Sequence, residues 1–433
     1  MSLRPKRVRK KKVLIIAYYW PPAGGPGVQR WLKFVKYLPS FGVEPVVFVP
    51  ENANYPVIDK SLQDEVSNDI EVVKLPISEP YKFAKLFSKA KTGTISKGII
   101  SENKKQSLIE RLMLFVRGNF FIPDARIGWV KPASSFLLDF IPNNDIETVI
   151  TTGPPHSMHL IGLNLKQNLG VKWLADFRDP WTTIGYHKQL KLTKSSQGKH
   201  KALERRVLSN ADKIIVTSSV TKQEFQRITK QPIEVITNGY DDEVGGSVEM
   251  DSKFTISHIG SLLSKRNPEI LWRAVSELIS KYDDFKNDIQ LNFVGFISEN
   301  ILKTIASYNL SKYINKVGYV SHLESIKYQK KSQLLLLIEV DSKDTRSIIP
   351  GKLFEYLVSN RPILAIGPKG SDIEQIIKNT NTGTFFSYQD LESLKKTILD
   401  HYMAYKSGNL KTSPIGLQKY HRKALTQSLS NLL

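Results

Sequence analysis

The sequence predicts an α/β chain made of two doubly wound units in tandem, and three observations predict it. Short β-rich apolar runs alternate with longer helical patterns along almost the whole chain. That repetition belongs to a parallel sheet with helices on its faces. Several runs are apolar throughout rather than alternating, as strands buried on both faces are. The series stops at Thr237–Ser252 (TNGYDDEVGGSVEMDS) and restarts at Phe254. This polar, acidic, glycine-rich stretch reads as a linker.

Strands of the first unit are expected at Val13–Tyr18, Pro45–Val49, Glu71–Lys74, Thr148–Thr152, Lys172–Ala175, Lys213–Thr217 and Glu234–Ile236. Those of the second are expected at Phe254–Ile259, Gln290–Val294, Lys316–Tyr319, Leu334–Ile338 and Pro362–Ile366. The start, MSLRPKRVRKKKVLIIAYYW, has the basic-then-apolar order of a signal peptide. Its apolar part is short, runs into Pro21-Pro22 and meets no small-residue cleavage site. It reads instead as a basic arm leading into a buried strand. A helix is expected over Val28–Leu38, with Val28, Trp31, Leu32, Val35 and Leu38 on its core face.

Two segments exceed a minimal α/β unit. Glu79–Gly118 carries nine Lys/Arg against three Asp/Glu, interleaved with aromatic and aliphatic residues. It reads either as a surface for an anionic membrane or as a solvated basic insertion. The tail spaces Leu417, Tyr420, Ala424, Leu425, Leu429 and Leu432 as a helix does. The expected bounds are 1–240 with the insertion at 79–118, 253–405, and a closing helix at 415–433.

A chain of 433 residues, 41% apolar and 10% aromatic, can bury sizeable cores. It has no cysteine, so disulfides and cysteine-based zinc sites are excluded. Its 62 Lys/Arg against 41 Asp/Glu give a formal charge of +21, which favours anionic partners. No RRM, KH or helix-turn-helix signature accompanies that charge, so specific nucleic-acid binding is not expected. No apolar run approaches the ~20 residues of a membrane-spanning helix.

The candidate binding residues follow strand ends, where doubly wound sheets hold ligands. After the first strand comes PPAGGPGVQR. Gly24, Gly25 and Gly27 allow close backbone approach, and the helix start favours an anion, with Arg30 nearby. The alternative is a tight turn that only joins strand to helix. The motif is neither GxGxxG nor a Walker A. In the second unit a strand ends at Gly260, followed by Lys265 and Arg266 where the next helix is expected to start, and Pro268 suits an early helical position. This reads as a diphosphate cradle or a solvated basic turn. SIIPGKLFEYL places Gly351, Lys352 and Glu355 at a third helix start. Lys352 suits phosphate and Glu355 suits ribose hydroxyls, against bland surface and capping roles. Together the three turns suggest a nucleotide-linked ligand in an interdomain cleft. In the first unit, His156 follows Gly-Pro-Pro at a strand end, and ADFRDPW places Asp176, Arg178 and Asp179 at another. His156 is either structural or near a reacting centre. Arg178 and Asp179 are either an ion pair or part of a site.

These stretches resemble the GT-B glycosyltransferases, specifically the retaining family 4 type. The likeness rests on PPAGGPGVQR, TTGPPHSMHL, ADFRDPW, TNGYD, GSLLSKRNP and PGKLFEYLVSNRPILA, in order over nearly the whole chain. It implies two Rossmann-like domains, with the last helix crossing back to the N-terminal one. It implies a nucleotide-sugar donor, UDP- or GDP-linked, bound by the C-terminal domain through Gly260, Ser261, Lys265, Arg266, Tyr319, Val320, Gly351, Lys352 and Glu355, with Gly24 and Gly25 of the N-terminal loop also on the donor. Arg266 falls where the family carries a diphosphate-binding lysine. Ser261 replaces an expected arginine, and Ser347 the first Glu of the family's Glu-x7-Glu motif, whose second Glu is Glu355. Tyr319 and Val320 match the base-reading stretch. The resemblance further implies His156 and Asp179 at the reacting centre, Arg30, Asp176 and Arg178 toward the acceptor, and transfer without a metal or other cofactor. The acceptor class implied is a glycan, polysaccharide or lipid-linked sugar; the basic Glu79–Gly118 segment adds the expectation of peripheral attachment at the cytoplasmic face, where lipid-linked acceptors reside. Two other readings stand beside it: a non-catalytic nucleotide- or sugar-binding protein of the same fold, which Ser347 keeps open, and a nucleotide-sugar epimerase.

Overall fold

The computed structural model describes residues 11–79, 108–185, 187–241, 246 and 248–433. The basic arm, most of the expected insertion and part of the linker lie outside these residues. The chain divides into two compact units: Met1–Thr237 with Arg422–Leu433, and Asn238–His421.

The first unit holds seven parallel strands in the order β3-β2-β1-β4-β5-β6-β7. They are β1 Lys11–Ile16, β2 Val43–Pro50, β3 Glu71–Leu75, β4 Thr148–Gly153, β5 Lys172–Phe177, β6 Lys213–Val216 and β7 Ile233–Val235. Its helices are α1 Pro26–Tyr37, α2 Leu108–Phe120, α3 Ile127–Asn143, α4 Ser157–Leu169, α5 Lys194–Asn210 and α6 Ser219–Gln226. The apolar runs end in two cores because successive strand side chains point to opposite faces. Leu14 and Ile16 pack with Trp129, Met158 and Trp173 on one face. Val13 and Ile15 pack with Trp31, Leu32 and Val35 of α1 on the other. Helix α1 starts at Pro26, two residues before the expected Val28, since proline is favoured in a first turn.

The second unit holds six parallel strands in the order β10-β9-β8-β11-β12-β13. They are β8 Phe254–Ile259, β9 Ile289–Val294, β10 Ile314–Gly318, β11 Leu334–Ile338, β12 Ile363–Ile366 and β13 Gly383–Phe386. Its helices are α7 Glu269–Lys281, α8 Asp283–Asp288, α9 Glu299–Ser307, α10 His322–Lys331, α11 Lys352–Val358, α12 Asp372–Thr380 and α13 Leu391–Lys406.

Every strand expected from the sequence is present, and one more was missed. Strand β13, GTFF, lies at a sheet edge with only Phe386 buried, so no buried apolar run marks it. The tail also differs from one continuous helix. Leu417–Tyr420 is a short 3-10 turn whose Tyr420 joins a core of the second unit. Helix α14, Arg422–Ser430, belongs to the first unit, where Leu425, Leu429 and Leu433 pack with α1. Glu79, read as the start of a solvated or membrane-facing insertion, is buried instead. Its carboxylate lies 3.2 Å from Arg126 and accepts a 2.7 Å hydrogen bond from Tyr18.

In both sheets the winding reverses once, between β1 and β4 and between β8 and β11. These switch points open a crevice at the carboxyl ends of the strands. Leu429 is fully buried, so Leu429→Ala is expected to cost the first unit about 2–5 kcal/mol. Urea unfolding followed by tryptophan fluorescence measures this; five of the six tryptophans, Trp20, Trp31, Trp129, Trp173 and Trp181, are buried in that unit and report on it.

Candidate functional site

At the β1/β4 switch of the first unit, the glycine loop is shaped largely by its own chain. A Cβ on Gly27 would lie 1.9 Å from the Arg178 guanidinium, so glycine is required for that guanidinium to sit there. A Cβ on Gly24 would touch Val57 and Asp59 at 3.0 and 3.1 Å. Gly25, with φ 109, has open space around it and takes the backbone into α1. Arg178 also donates to the carbonyls of Gly153 and Pro154, clamping the turn after β4. Beyond that turn, Asp124 accepts from the Ser157 amide (2.9 Å) and hydroxyl (2.8 Å), which fixes the start of α4.

His156 stands at the head of α4, 4% exposed, with its ring stacked on Trp181 at 4.9 Å. Neither ring nitrogen has a hydrogen-bond partner among the described residues. Burial, reinforced by His159 and Arg178, holds its pKa well below the usual histidine value, so the ring is neutral. Asp179 is half-buried; burial raises its pKa and Arg178 opposes the rise.

Arg30 and Asp176 correct the sequence expectation. Both were expected to face an acceptor. They are instead a buried pair at 2.9 Å, with side chains 1% and 0% exposed. Asp176 also accepts from Trp31 Nε1 (2.9 Å) and Thr152 Oγ1 (2.8 Å), and Arg30 donates to the Thr237 carbonyl at 2.7 Å. With its charge partnered in this way, Asp176 ties β5 to α1 and presents no surface to a ligand.

At the β8/β11 switch of the second unit, residues far apart in sequence converge. Gly260 ends β8 at φ 111, a conformation that side chains disfavour. Lys352 reaches it from α11: its Nζ lies 3.6 Å from where a Gly260 Cβ would stand. Nζ also lies 3.0 Å from the Ile259 carbonyl and 3.1 Å from His258 Nε2. His258 is 1% exposed, and its Nδ1 is 3.1 Å from the Leu336 carbonyl. A carbonyl only accepts, so Nδ1 carries the proton and Nε2 accepts from Lys352. Burial and the neighbouring Arg266 cation push the Lys352 pKa down to about 7, with Glu339 and Glu355 opposing.

Arg266 engages Glu339 through Nε (3.3 Å) and Nη2 (3.2 and 3.3 Å). Glu339, buried at the end of β11, was missed in the sequence. An acidic residue directly after the apolar run LLLLI is the signal that marks it. Glu355 accepts from Gln329 Nε2 at 2.8 Å and lies 3.1 Å from His322 Nε2. Arg266 and Lys265 precede their helix rather than opening it, because α7 begins only at Glu269 after Pro268. Lys265, Gly260 and Ser261 are exposed, Gly351 is the N-cap of α11, and Val320 is partly buried. Tyr319 is 95% exposed. Among the described residues no group of three or more His, Asp or Glu is arranged to hold a metal ion.

With this geometry in place, comparison with known proteins shows what the chain is similar to. Residues 99–244 match the model of Glycosyltransferase Family 4. Over 98% of its length the chain matches 98% of sucrose-phosphate synthase from Thermosynechococcus elongatus, with TM-score 0.60 and 14% identity. It matches 99% of S. aureus TarM, solved with fondaparinux, alpha-GlcNAc-glycerol and UDP, over 98% of its own length (TM-score 0.56, 12% identity). It matches 98% of the lipopolysaccharide outer core galactosyltransferase WaaB over 97% of its own length (TM-score 0.57, 15% identity). No curated protein matches by sequence. The fold is thus that of the GT-B glycosyltransferases, with two Rossmann-like domains. The family match on residues 99–244 supports a glycosyltransferase of that type.

The low pKa of Lys352 has a consequence for stability. Unfolded, the lysine has its ordinary value of 10.5; folded, it titrates at about 7. Between those values the unfolded chain binds more protons, so this group makes stability rise with pH. Lys352→Met is expected to stabilise the protein at pH 7, with an advantage over wild type that shrinks toward pH 10. The difference in slope is at most about 1.4 kcal/mol per pH unit. Urea unfolding of both proteins at pH 7, 8 and 9 measures it.

Proposed function

We propose that the chain is a retaining, nucleotide-sugar-dependent glycosyltransferase that extends a glycan or a lipid-linked sugar in cell-surface polysaccharide synthesis. The observation that carries this is the convergence of Gly260, Arg266, Lys352 and Glu355 at the β8/β11 switch point. An exposed backbone at Gly260–Ser261, two cationic side chains and a fixed carboxylate suit a nucleoside diphosphate. In this reading Arg266 and Lys352 hold the pyrophosphate and Glu355 the ribose. Gly351 lies beside the phosphates, Tyr319 and Val320 beside the base, and Lys265 adds charge at the rim.

The chemistry asks the protein to stabilise negative charge growing on a leaving diphosphate, and to position the acceptor while excluding water. Arg266 and Lys352 supply the charge; no step here requires a metal. His156 and Asp179 are the residues proposed near the reacting centre, with Arg178 toward the acceptor. TarM with UDP and a GlcNAc-glycerol, and WaaB in lipopolysaccharide, favour a UDP-sugar and a glycan-type acceptor.

Incubation with UDP- and GDP-sugars plus candidate acceptors is expected to release nucleoside diphosphate. Glu355→Ala is expected to raise the donor KM about tenfold or more, one ribose contact being worth at least ~1.4 kcal/mol. A binding protein of this fold would give thermal stabilisation by nucleotide without release, and an epimerase would convert the donor alone. Anomeric NMR of the product decides retention.

We also propose attachment at an anionic membrane surface. Among the described residues no helix is long and apolar enough to cross a membrane. Helix α2 nevertheless exposes Leu112 (62%), Phe115 (36%), Val116 (36%) and Phe120 (72%) along one face, with the exposed cation Arg111 beside them. An apolar stripe edged by cations suits a headgroup interface. The protein is expected to pellet with phosphatidylglycerol vesicles and not with phosphatidylcholine vesicles, losing binding at high salt. Leu112→Asp with Phe120→Asp is expected to cut pelleting several-fold.

A further inference from the structure

The nucleotide reading gives Lys352 a phosphate contact, but its surroundings say more. A lysine that only served as a fixed cation would be paired with a carboxylate or left in water. Lys352 is neither. Its hydrogen bonds go to a buried neutral imidazole and to the Ile259 carbonyl. The two nearby carboxylates are engaged elsewhere. Glu339, from the end of β11, takes Arg266 and the Val340 amide. Glu355, on the same helix as Lys352, takes His322 and Gln329. Tyr356, also on that helix, spends its hydroxyl on the Ile259 backbone at 3.0 Å and stays protonated, its pKa raised by burial. The remaining charge facing Lys352 is the Arg266 guanidinium.

We propose that Lys352 grips the donor pyrophosphate by taking up a proton as the donor binds, with His258 as the positioning residue that holds its neutral amine beside Gly260 beforehand. This rests on the reading of the β8/β11 crevice as a nucleotide-sugar site. His258 is suited to the task because its Nδ1 proton is committed to the Leu336 carbonyl, which leaves Nε2 as a fixed acceptor. The arrangement favours the uncharged amine: the site is partly buried and one neighbour is a cation, and the amine's pKa falls accordingly. A pyrophosphate reverses that balance. Its charge offsets Arg266 and favours the ammonium, so a proton comes from solvent with the ligand. The free protein thus avoids packing two bare cations together, yet both act once the anion arrives.

Isothermal titration calorimetry of the full chain with UDP-glucose, UDP-N-acetylglucosamine and GDP-mannose tests this. These pyrophosphate diesters do not themselves titrate between pH 6 and 8. Repeating the titration in buffers of different ionisation enthalpy counts protons. Wild type is expected to take up about 0.5–1 proton per donor at pH 8 and close to none at pH 6. Its affinity is expected to fall by up to about tenfold per pH unit above 7. Lys352→Arg keeps a permanent charge, so uptake and pH dependence are expected to vanish while binding persists. His258→Asn, which replaces the imidazole with an amide, is expected to change the pH profile of the affinity; circular dichroism checks that it folds. Donor binding to wild type without proton uptake at pH 8 overturns the proposal. Uptake that persists unchanged in Lys352→Arg overturns it as well. If none of the three donors binds wild type at any pH, the nucleotide-sugar reading fails and this proposal with it.

Discussion

The reversal of winding between β8 and β11 is the constraint on which the chemistry of the second unit depends. A parallel sheet wound first one way and then the other must leave two neighbouring strands whose following loops part in opposite directions. Here those strands run side by side, Leu334 and Leu335 pairing with Ile256 and Ser257. Gly260 follows one and Glu339 follows the other, while Lys352 returns from the loop after β11. Three elements separated by tens of residues thus deliver an exposed backbone, a cation and a buried carboxylate to one edge. The first unit repeats the device between β1 and β4, and delivers the glycine loop and the turn before His156 to a matching edge.

Convergence alone would be unfavourable, since like charges repel and buried charges lose hydration. The second unit deals with each charge separately. Arg266 leans on Glu339, whose side chain is 1% exposed, and keeps 31% of its own surface in solvent. A guanidinium forked onto one carboxylate still has donors free to turn outward. Glu355 has one hydrogen-bond partner on each oxygen and further lone pairs to spare, so it is oriented without being saturated. The same economy of contacts separates a group that is held ready from one that is merely packed.

The fold was legible because it is written in local pattern. Apolar runs of five or six residues flanked by glycine or polar turns locate β1, β8 and β11 with no knowledge of their neighbours. The missed strand β13 lacks that pattern because an edge strand need bury only part of its length. The glycine loop was legible as a place of close approach, but not as to what approaches. Sequence suggested a ligand at Gly27, and the structure puts the Arg178 side chain there, 151 residues further along. His258, Gln329 and Glu339 were invisible for the same reason. Each acts through a partner 94, 26 or 73 residues away, and no spacing rule links them.

Arg30 and Asp176 show most plainly why residue type and strand position do not suffice to assign chemistry. An arginine at a helix start and an aspartate near the carboxyl end of a strand both lie where ligands usually bind. The distinction lies in how fully each is satisfied. Asp176 accepts from Arg30, Trp31 and Thr152 with no exposed surface, so its charge is already neutralised and any substrate would have to displace a buried partner. Breaking such a pair leaves an uncompensated buried charge, which is costly enough to keep it closed. Lys352 is the opposite case: a titratable amine tied only to neutral acceptors, for which an arriving anion strengthens the charge and breaks no ion pair. A residue is available for binding when a ligand improves its electrostatics, and by that criterion the second unit, not the buried pair of the first, carries the cationic half of the chemistry.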